Sequence, residues 1–371
     1  MATYRIAWLP GDGVGREVMR SARRVLDALE FDAEYLAGDI GWSCWTTEGN
    51  PLPDRTMDVL CSTDACLFGA ITSKPEAEAL QELPPGLRSK NLQYFSPIVR
   101  VRQELNLHTN LRPCKAYPGN PLNHQEDIDL VIFRENTEGL YSGVEFHPVP
   151  EAVLHALSVH PKMEKFRQFA PDDIAISTRI LTRRGCETIL RQAFEYAKKH
   201  RKQSVTVVDK PNVLRETGGM MIRIAREIAG EYPDIRLQET NIDAQCMWLV
   251  KNPERYEVLV AENMFGDILS DLAAQLVGGL GFSCSANIGD DYAVFEPTHG
   301  SAPKYAGQHR VNPLAMLLST RMMLEWLGED QLSRRLETAI SAVIAEGKIR
   351  TYDMGGNHST TEMTEAVIAN L

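Results

Sequence analysis

The chain has 371 residues, 43% hydrophobic and 24% charged, ordinary for a globular protein but too long for one comfortable core, so a two-lobed or two-domain unit is expected. A formal net charge of −11 speaks against nucleic acid or an anionic membrane as partner, although a few arginines can still reverse the field inside a cleft. The seven cysteines are scattered without a CxxC or Cys/His cluster, and neither a signal peptide nor an apolar run of roughly 20 residues is visible, so a reduced, cytoplasmic setting is expected.

Tyr4-Arg-Ile-Ala-Trp-Leu reads as a buried strand ended by Pro10-Gly-Asp-Gly-Val-Gly15, and Val18, Ala22, Val25, Leu26 and Leu29 stripe the helix that follows. Strand, glycine turn and helix invite a dinucleotide fingerprint, but the spacing is GxGxG, and Arg16 stands where GxGxxG needs its last glycine. A plain tight turn is the better reading. Residues 63–70 form a second strand running into Ile71-Thr72-Ser73-Lys74, and residues 75–92 look like a surface excursion.

Ser96 and Pro97 suit the N-cap and first position of a helix that carries Arg102. Arg112 follows in an extended segment before Pro113. The strand Asp129-Leu-Val-Ile-Phe133 then delivers Arg134-Glu-Asn-Thr-Glu-Gly-Leu-Tyr141. Arg102, Arg112 and Arg134 are either three surface charges or, if the fold gathers them, a clamp for a polycarboxylate. Periodicity fades over 144–172, where His155 and His160 do not share a helical face.

A helix of about twenty residues runs through Lys199, and Val205-Thr-Val-Val208 is a strand ending at Asp209-Lys210-Pro-Asn212. Lys210 is either a tuned base or a solvated strand-end cation. A helix from about 217 to 230 follows, and Asp243 opens another helical run. Val258-Leu-Val-Ala leads into a helix with Asp267 and Asp271 one turn apart on one face. Such a pair suits Mg²⁺ or Mn²⁺; the alternative is capping by Asp267 with a solvated Asp271. The glycine-rich stretch 278–289 lacks a P-loop Gly-Lys-Ser/Thr, and the Gly/Pro-punctuated loop around His299 can cradle phosphates and an aromatic base. Two amphipathic helices, about 313–327 and 330–347, end the chain before a polar segment at 351–356.

Taken in order, LPGDGVG, RENTEGLYSG, Lys210-x-Asn212, GDILSD and EPTHGSAPKYAG resemble the metal-dependent β-decarboxylating dehydrogenases that act on isocitrate, homoisocitrate and 3-isopropylmalate. The resemblance runs nearly end to end and is thinnest over 76–92 and 146–172. It implies an α/β, two-lobed, doubly wound fold of the isocitrate/isopropylmalate dehydrogenase kind, not a Rossmann domain. One lobe takes residues 1–108 and 277–371 and the other 109–276, with an arm near 139–172 that meets a second subunit. A homodimer with shared active sites is implied.

By the same resemblance, Arg102, Arg112 and Arg134 hold the malate carboxylates, with Ser96 and Ile98 facing the variable γ-group. Asp267 and Asp271 bind Mg²⁺ or Mn²⁺ with Asp243 of the other subunit. Lys210, also across the interface, helps remove the hydroxyl proton, and Tyr141 protonates the enol. Thr72 and Asn212 lie beside the nicotinamide. Glu296, His299, Gly300, Ser301, Ala302, Pro303, Lys304, Tyr305 and Asn312 line the cofactor loop, joined by Tyr352 and Asp353.

Three departures matter. Ile98 stands where isocitrate enzymes often carry Asn, which leaves isocitrate ahead of homoisocitrate, 3-isopropylmalate and other substituted malates only by a margin. Arg100 is an extra cation that helical spacing turns away from Arg102. Lys304-Tyr305 and Tyr352 favour NADP over NAD, yet Gly356 replaces an expected arginine and removes one phosphate contact. A non-catalytic regulatory subunit is the alternative of another class; the retained Tyr141, Lys210, Asp243, Asp267 and Asp271 argue against it.

Overall fold

A computed structural model describes residues 2–371. The strands are β1 (Tyr4–Gly11), β2 (Ala33–Ala37), β3 (Ala65–Ala70), β4 (Thr109–Lys115), β5 (Asp129–Glu135), β6 (Glu145–Phe146), β7 (Ile176–Ser177), β8 (Ser204–Asp209), β9 (Arg236–Asn241), β10 (Val258–Ala261), β11 (Cys284–Ile288) and β12 (Ala293–Pro297). Ten of them form one sheet in the order β2-β1-β3-β12-β11-β4-β5-β10-β8-β9. The pairs are parallel except around β11 and β4, which run antiparallel to their neighbours. β3 and β8 are buried at every position, as strands covered on both faces must be.

Each half of the sheet is covered by helices on both faces. On the β1 side, helices Gly15–Ala28, Leu314–Trp326, Asp330–Glu346 and Thr360–Ala369 enclose one core, and Leu60, Val101 and Leu107 belong to a second core behind it. On the β8 side, helices Arg183–Lys199 and Thr217–Ala229 cover one face, and Ile242–Lys251 and Asn263–Leu276 the other. The four strands β4, β5, β11 and β12, drawn from distant parts of the chain, meet in the middle and deliver the polar residues described below.

Two local expectations change and one gains detail. Residues 75–92 are mostly exposed, as expected of a surface excursion, and carry the short helices Glu76–Gln81 and Pro85–Arg88; Ala79, Leu83 and Leu87 pack on an aromatic cluster of Trp42, Trp45 and Tyr94. Helix Leu314–Trp326 is not amphipathic; ten of its thirteen residues are buried, because it lies on β11 and β12 beneath helices 15–28 and 330–346. A third helix, Thr360–Ala369, closes the chain, started by a capping box in which Ser359 and Glu362 satisfy each other's amides. Within 144–178 the structure has a two-stranded β6–β7 ribbon and helix Glu151–Leu157, with Val159, Phe166 and Phe169 exposed.

Candidate active site

Helix Asn263–Leu276 starts at Glu262, whose side chain accepts from the amides of Met264 and Phe265. The capping role considered for Asp267 is therefore taken by Glu262, and Asp267 turns inward instead. Its carboxylate receives Tyr141 Oη at 2.7 Å, Arg112 Nη2 at 3.3 Å and Arg134 Nη1. Gly266 makes this approach possible: a Cβ there would stand 2.7 Å from Cβ and Cγ of Arg134. Arg112 also reaches Asp271 at 3.2 Å, so the two acids converge on one guanidinium, as their helical spacing implies.

Arg112 and Arg134 are buried and are held by neutral side chains as well as by the aspartates. Arg134 Nε and Nη2 donate to Asn263 Oδ1 at 3.0 and 2.8 Å, and Arg112 Nη1 donates to Ser270 Oγ at 2.6 Å. A hydrogen-bonded chain then crosses the middle of the sheet. Arg112 Nε donates to Asn110 (2.7 Å), Asn110 to Asn287 (3.0 Å), Asn287 to Glu296 (2.7 Å), and Glu296 also accepts from Arg102 (3.0 Å). Arg112 and Arg134 thus meet at Asp267, and Arg102 is linked to Arg112 through Glu296, Asn287 and Asn110.

That crowding sets the electrostatics. Burial pushes the Asp267 carboxyl up, but the charges of Arg134 and Arg112 and the Tyr141 hydrogen bond outweigh it, and the carboxyl is held below its usual range. Burial and the positive charge of Arg112 bring the Arg134 guanidinium down to about 10. Burial and the hydrogen bond to Asp267 raise the Tyr141 phenol. Ser96 and Ile98 are half-buried on the helix that carries Arg102, whereas Arg100 pairs with Glu104 and lies over Phe95, away from the clamp.

Lys210 and Asp243 form a separate pair at 2.5 Å, with Asp243 69% exposed. No hydrogen bond or ion pair among the described residues joins either to Asp267 or Asp271, and no group of three His, Cys, Asp or Glu residues there can hold a metal ion. Asp267 and Asp271 offer hard carboxylate oxygens that fit two ligands of Mg²⁺ or Mn²⁺. Asn212 is exposed just after Lys210.

The expected cofactor residues gather on the other side. Thr72 Oγ1 and Ser301 Oγ are 2.6 Å apart, and Tyr94 Oη donates to the Thr72 carbonyl at 3.3 Å. Asn312 Nδ2 donates to Asp353 at 3.1 Å, and the Tyr305 and Tyr352 rings lie 5.6 Å apart. Lys304 stands over Tyr305 at 4.8 Å and Arg310 over Tyr352 at 5.5 Å. Gly300 is free of close neighbours on its Cβ side, and Ala302 adopts a left-handed backbone at the start of the turn Pro303–Tyr305. His299 Nε2 and Thr298 Oγ1 are shielded and have no partner, which fits a loop made to hold a polar nucleotide. Glu296, expected on this loop, ends up on β12 gripping Arg102. The glycine turn at residues 10–15 spends its amides on carbonyls, Asp12 N on Ala70, Val14 N on Ser301 and Gly15 N on Asp12, as a plain tight turn does, while the Asp12 carboxylate accepts from the amides of Trp42, Ser43 and Thr72.

Asn110, Asn263, Ser270, Asn287 and Arg310 were not singled out from sequence. For two of them a signal existed: Asn263, Asp267, Ser270 and Asp271 fall at i, i+4, i+7 and i+8, a polar stripe on an otherwise apolar helix.

The isocitrate/isopropylmalate dehydrogenase family model matches residues 5–367. The chain belongs to this family. It is 41% identical to Protein DlpA of Legionella pneumophila over 98% of its length, spanning 58% of that longer protein. It is 39% identical to the isocitrate/homoisocitrate dehydrogenase of Thermus thermophilus, covering 99% of this chain and 98% of that one. Isocitrate dehydrogenase from Methylococcus capsulatus superposes with a TM-score of 0.86 at 38% identity, over 99% of both chains. Family members are dehydrogenases that use NAD(P) and a divalent metal and are typically dimeric. No helix of the described residues is long and apolar enough to cross a membrane.

Proposed function

We propose that the protein oxidatively decarboxylates a 3-carboxy-2-hydroxy acid, with isocitrate the leading substrate, as a homodimer whose active sites are shared between subunits. The observation that carries the reading is the convergence of Arg112 and Arg134 on Asp267 beside Tyr141, with Arg102 tied to Arg112 through Glu296, Asn287 and Asn110. Arg112 and Arg134 braced by neutral amides and a hydroxyl, with Arg102 nearby on Glu296, match a substrate with more than one carboxylate, because a guanidinium fork can bind an anion bidentately. The pairing of Lys210 with an exposed Asp243, without a hydrogen bond or ion pair to Asp267 or Asp271 among the described residues, supports their service in a partner's site. Exposed Met247, Trp248, Val250 and Ile268 on the helices that carry Asp243 and Asp267 supply an apolar surface for that partner, as do Val159, Phe166 and Phe169 on the arm. We assign the two lobes to residues 1–108 with 277–371 and to residues 109–276, a boundary that falls between β11 and β4, hydrogen-bonded neighbours within the one sheet.

Asp267 and Asp271, with Asp243 of the other subunit, would hold Mg²⁺ or Mn²⁺, which when bound polarises the hydroxyl and carboxylate oxygens, while the nicotinamide accepts the hydride. The chain's own residues do the rest. Arg102, Arg112 and Arg134 orient the malate carboxylates, and Lys210 takes the hydroxyl proton. Tyr141 returns a proton to carbon after CO₂ leaves; its raised pKa keeps the phenol protonated until then.

NADP is the preferred cofactor. Lys304 and Arg310 flank the Tyr305–Tyr352 pair and supply two cations for a 2′-phosphate. The arginine missing at Gly356 has a steric reason: a Cβ there would meet the Arg350 carbonyl at 2.1 Å. Arg310 takes over the charge.

The test is kcat/KM for isocitrate, homoisocitrate, 3-isopropylmalate and malate, each with NAD and NADP. Isocitrate with NADP should lead; equal use of both cofactors refutes the role given to Lys304 and Arg310. The absence of turnover on every substituted malate would turn the reading toward a regulatory subunit.

A further inference from the structure

Lys210 and the helix bearing Asp267 are joined by an arginine that contacts none of the residues assigned to substrate or cofactor. β8 and β10 are parallel neighbours with Val208 opposite Ala261, which brings the residues at their ends, Asp209 and Glu262, side by side. Both carboxylates are buried, with side-chain exposures of 0% and 2%. Arg179 lies between them, Nη2 standing 2.8 Å from Asp209 and 3.6 Å from Glu262, while Nη1 donates to Thr217 Oγ1 at 2.8 Å. The guanidinium also covers the ring of Phe265, in the first turn of helix Asn263–Leu276, at 5.1 Å. Two adjacent carboxylates without water repel each other, and a shared guanidinium removes that conflict.

Each carboxylate in turn holds another element. Asp209 Oδ1 accepts from the Lys210 amide at 2.6 Å. Glu262 accepts from the Phe265 amide at 3.0 Å and the Met264 amide at 3.3 Å, fixing the start of the helix that carries Asp267 and Asp271. One arginine therefore braces both the strand end that places Lys210 and the helix that places the two aspartates.

We propose that Arg179 is a positioning residue that ties the two active sites of the dimer together, acting through Asp209 on the Lys210 that serves the partner's site and through Glu262 on the aspartates that serve its own. The inference rests on the shared-site reading above. A ligand that settles the helix in one site thereby settles the strand end that completes the other.

The experiment uses a heterodimer purified with two different tags, one chain carrying Lys210→Met and the other Asp267→Asn. Shared sites leave one site with native Asp267 and native Lys210, and about half of wild-type turnover is expected. No turnover at this stage overturns the shared-site reading before Arg179 is touched. Arg179→Gln is then placed on one chain at a time. On the Lys210→Met chain it loosens the aspartates of the live site: the Kd for Mn²⁺, read from the free-Mn²⁺ electron paramagnetic resonance signal without turnover, should rise about tenfold. Its kcat at saturating metal should stay within about twofold. On the Asp267→Asn chain it loosens the live Lys210: kcat should fall about tenfold with the Mn²⁺ Kd unchanged. The same change in both quantities from either placement, or no change, overturns the proposal. If the glutamine chains do not assemble, Arg179→Lys chains, whose single ammonium cannot bridge both carboxylates, are read by the same split, and its absence is equally decisive.

Discussion

Replacing Asp267 with asparagine removes the one carboxylate on which Arg112, Arg134 and Tyr141 all converge. Arg134 is 2% exposed and Arg112 8%, so neither guanidinium can recover its lost counter-charge from water. Removing one partner of a fully buried pair costs roughly 3–5 kcal/mol; Asp267 keeps a third of its side chain exposed and Asp271 remains beside Arg112, so about 2–3 kcal/mol is the working figure. At about 1–2 °C per kcal/mol for a chain of this length, Tm should fall by about 2–6 °C at pH 7. The pH dependence has a definite sign. Because the folded carboxyl lies below its usual value, its stabilisation is complete above about pH 4 and is lost only as pH falls through the depressed folded value. The Tm difference should therefore be flat between pH 6 and 8 and shrink in acid. Added isocitrate should narrow it, since substrate carboxylates replace the missing anion. The assay is thermal unfolding at fixed dimer concentration, together with Mn²⁺-dependent turnover, which the asparagine should abolish while the dimer stays folded. A variant as stable as wild type at pH 7, or one that keeps its metal-dependent activity, refutes the assignment of Asp267 as the anchor of the arginines and a metal ligand.

Other substitutions probe the flanks of the site. Asn287→Ala cuts the chain between Asn110 and Glu296 and strands buried polar groups, so stability should fall by about 1–3 kcal/mol and KM for substrate should rise, measured by unfolding and steady-state kinetics. Ile98→Asn should shift the kcat/KM ratio toward isocitrate and away from longer or bulkier γ-groups by about tenfold, and an unchanged ratio would mean that this position does not face the substrate. Lys304→Ala and Arg310→Ala should each lower kcat/KM for NADP by about tenfold, with NAD altered by less than about twofold; parallel losses with both cofactors would mean the cations serve the fold.

Much of this arrangement was legible because local chemistry and fold agree. β1, β8 and β10 are short apolar runs bounded by turns, and the helix after β10 carries its two aspartates at a spacing that leaves them on one side. What was not legible depends on partners far away in sequence. Tyr141 and Asp267 are 126 residues apart, and spacing on one helix cannot announce that Asp267 turns toward a tyrosine and two arginines rather than capping its own helix. The packing of residues 76–88 likewise depends on Trp42, Trp45 and Tyr94, from elements that composition alone does not bring together. Helix Leu314–Trp326 was misjudged for the opposite reason: one apolar stripe was assumed where the tertiary fold buries nearly the whole circumference. The final helix was overlooked although its start was signalled, since Ser359 and Glu362 stand three apart ahead of Met363 and Val367. Arg310 carries no such signal, because its place over the Tyr352 ring depends on how the loop folds and not on any spacing in the sequence.

The central claim is oxidative decarboxylation that needs a divalent metal. The purified enzyme should be given isocitrate, NADP and Mn²⁺, and the CO₂ released counted against the NADPH formed. The account predicts one CO₂ per NADPH, with both stopped by a chelator and restored by Mn²⁺. NADPH without CO₂, or turnover that persists after the metal is removed, would contradict it.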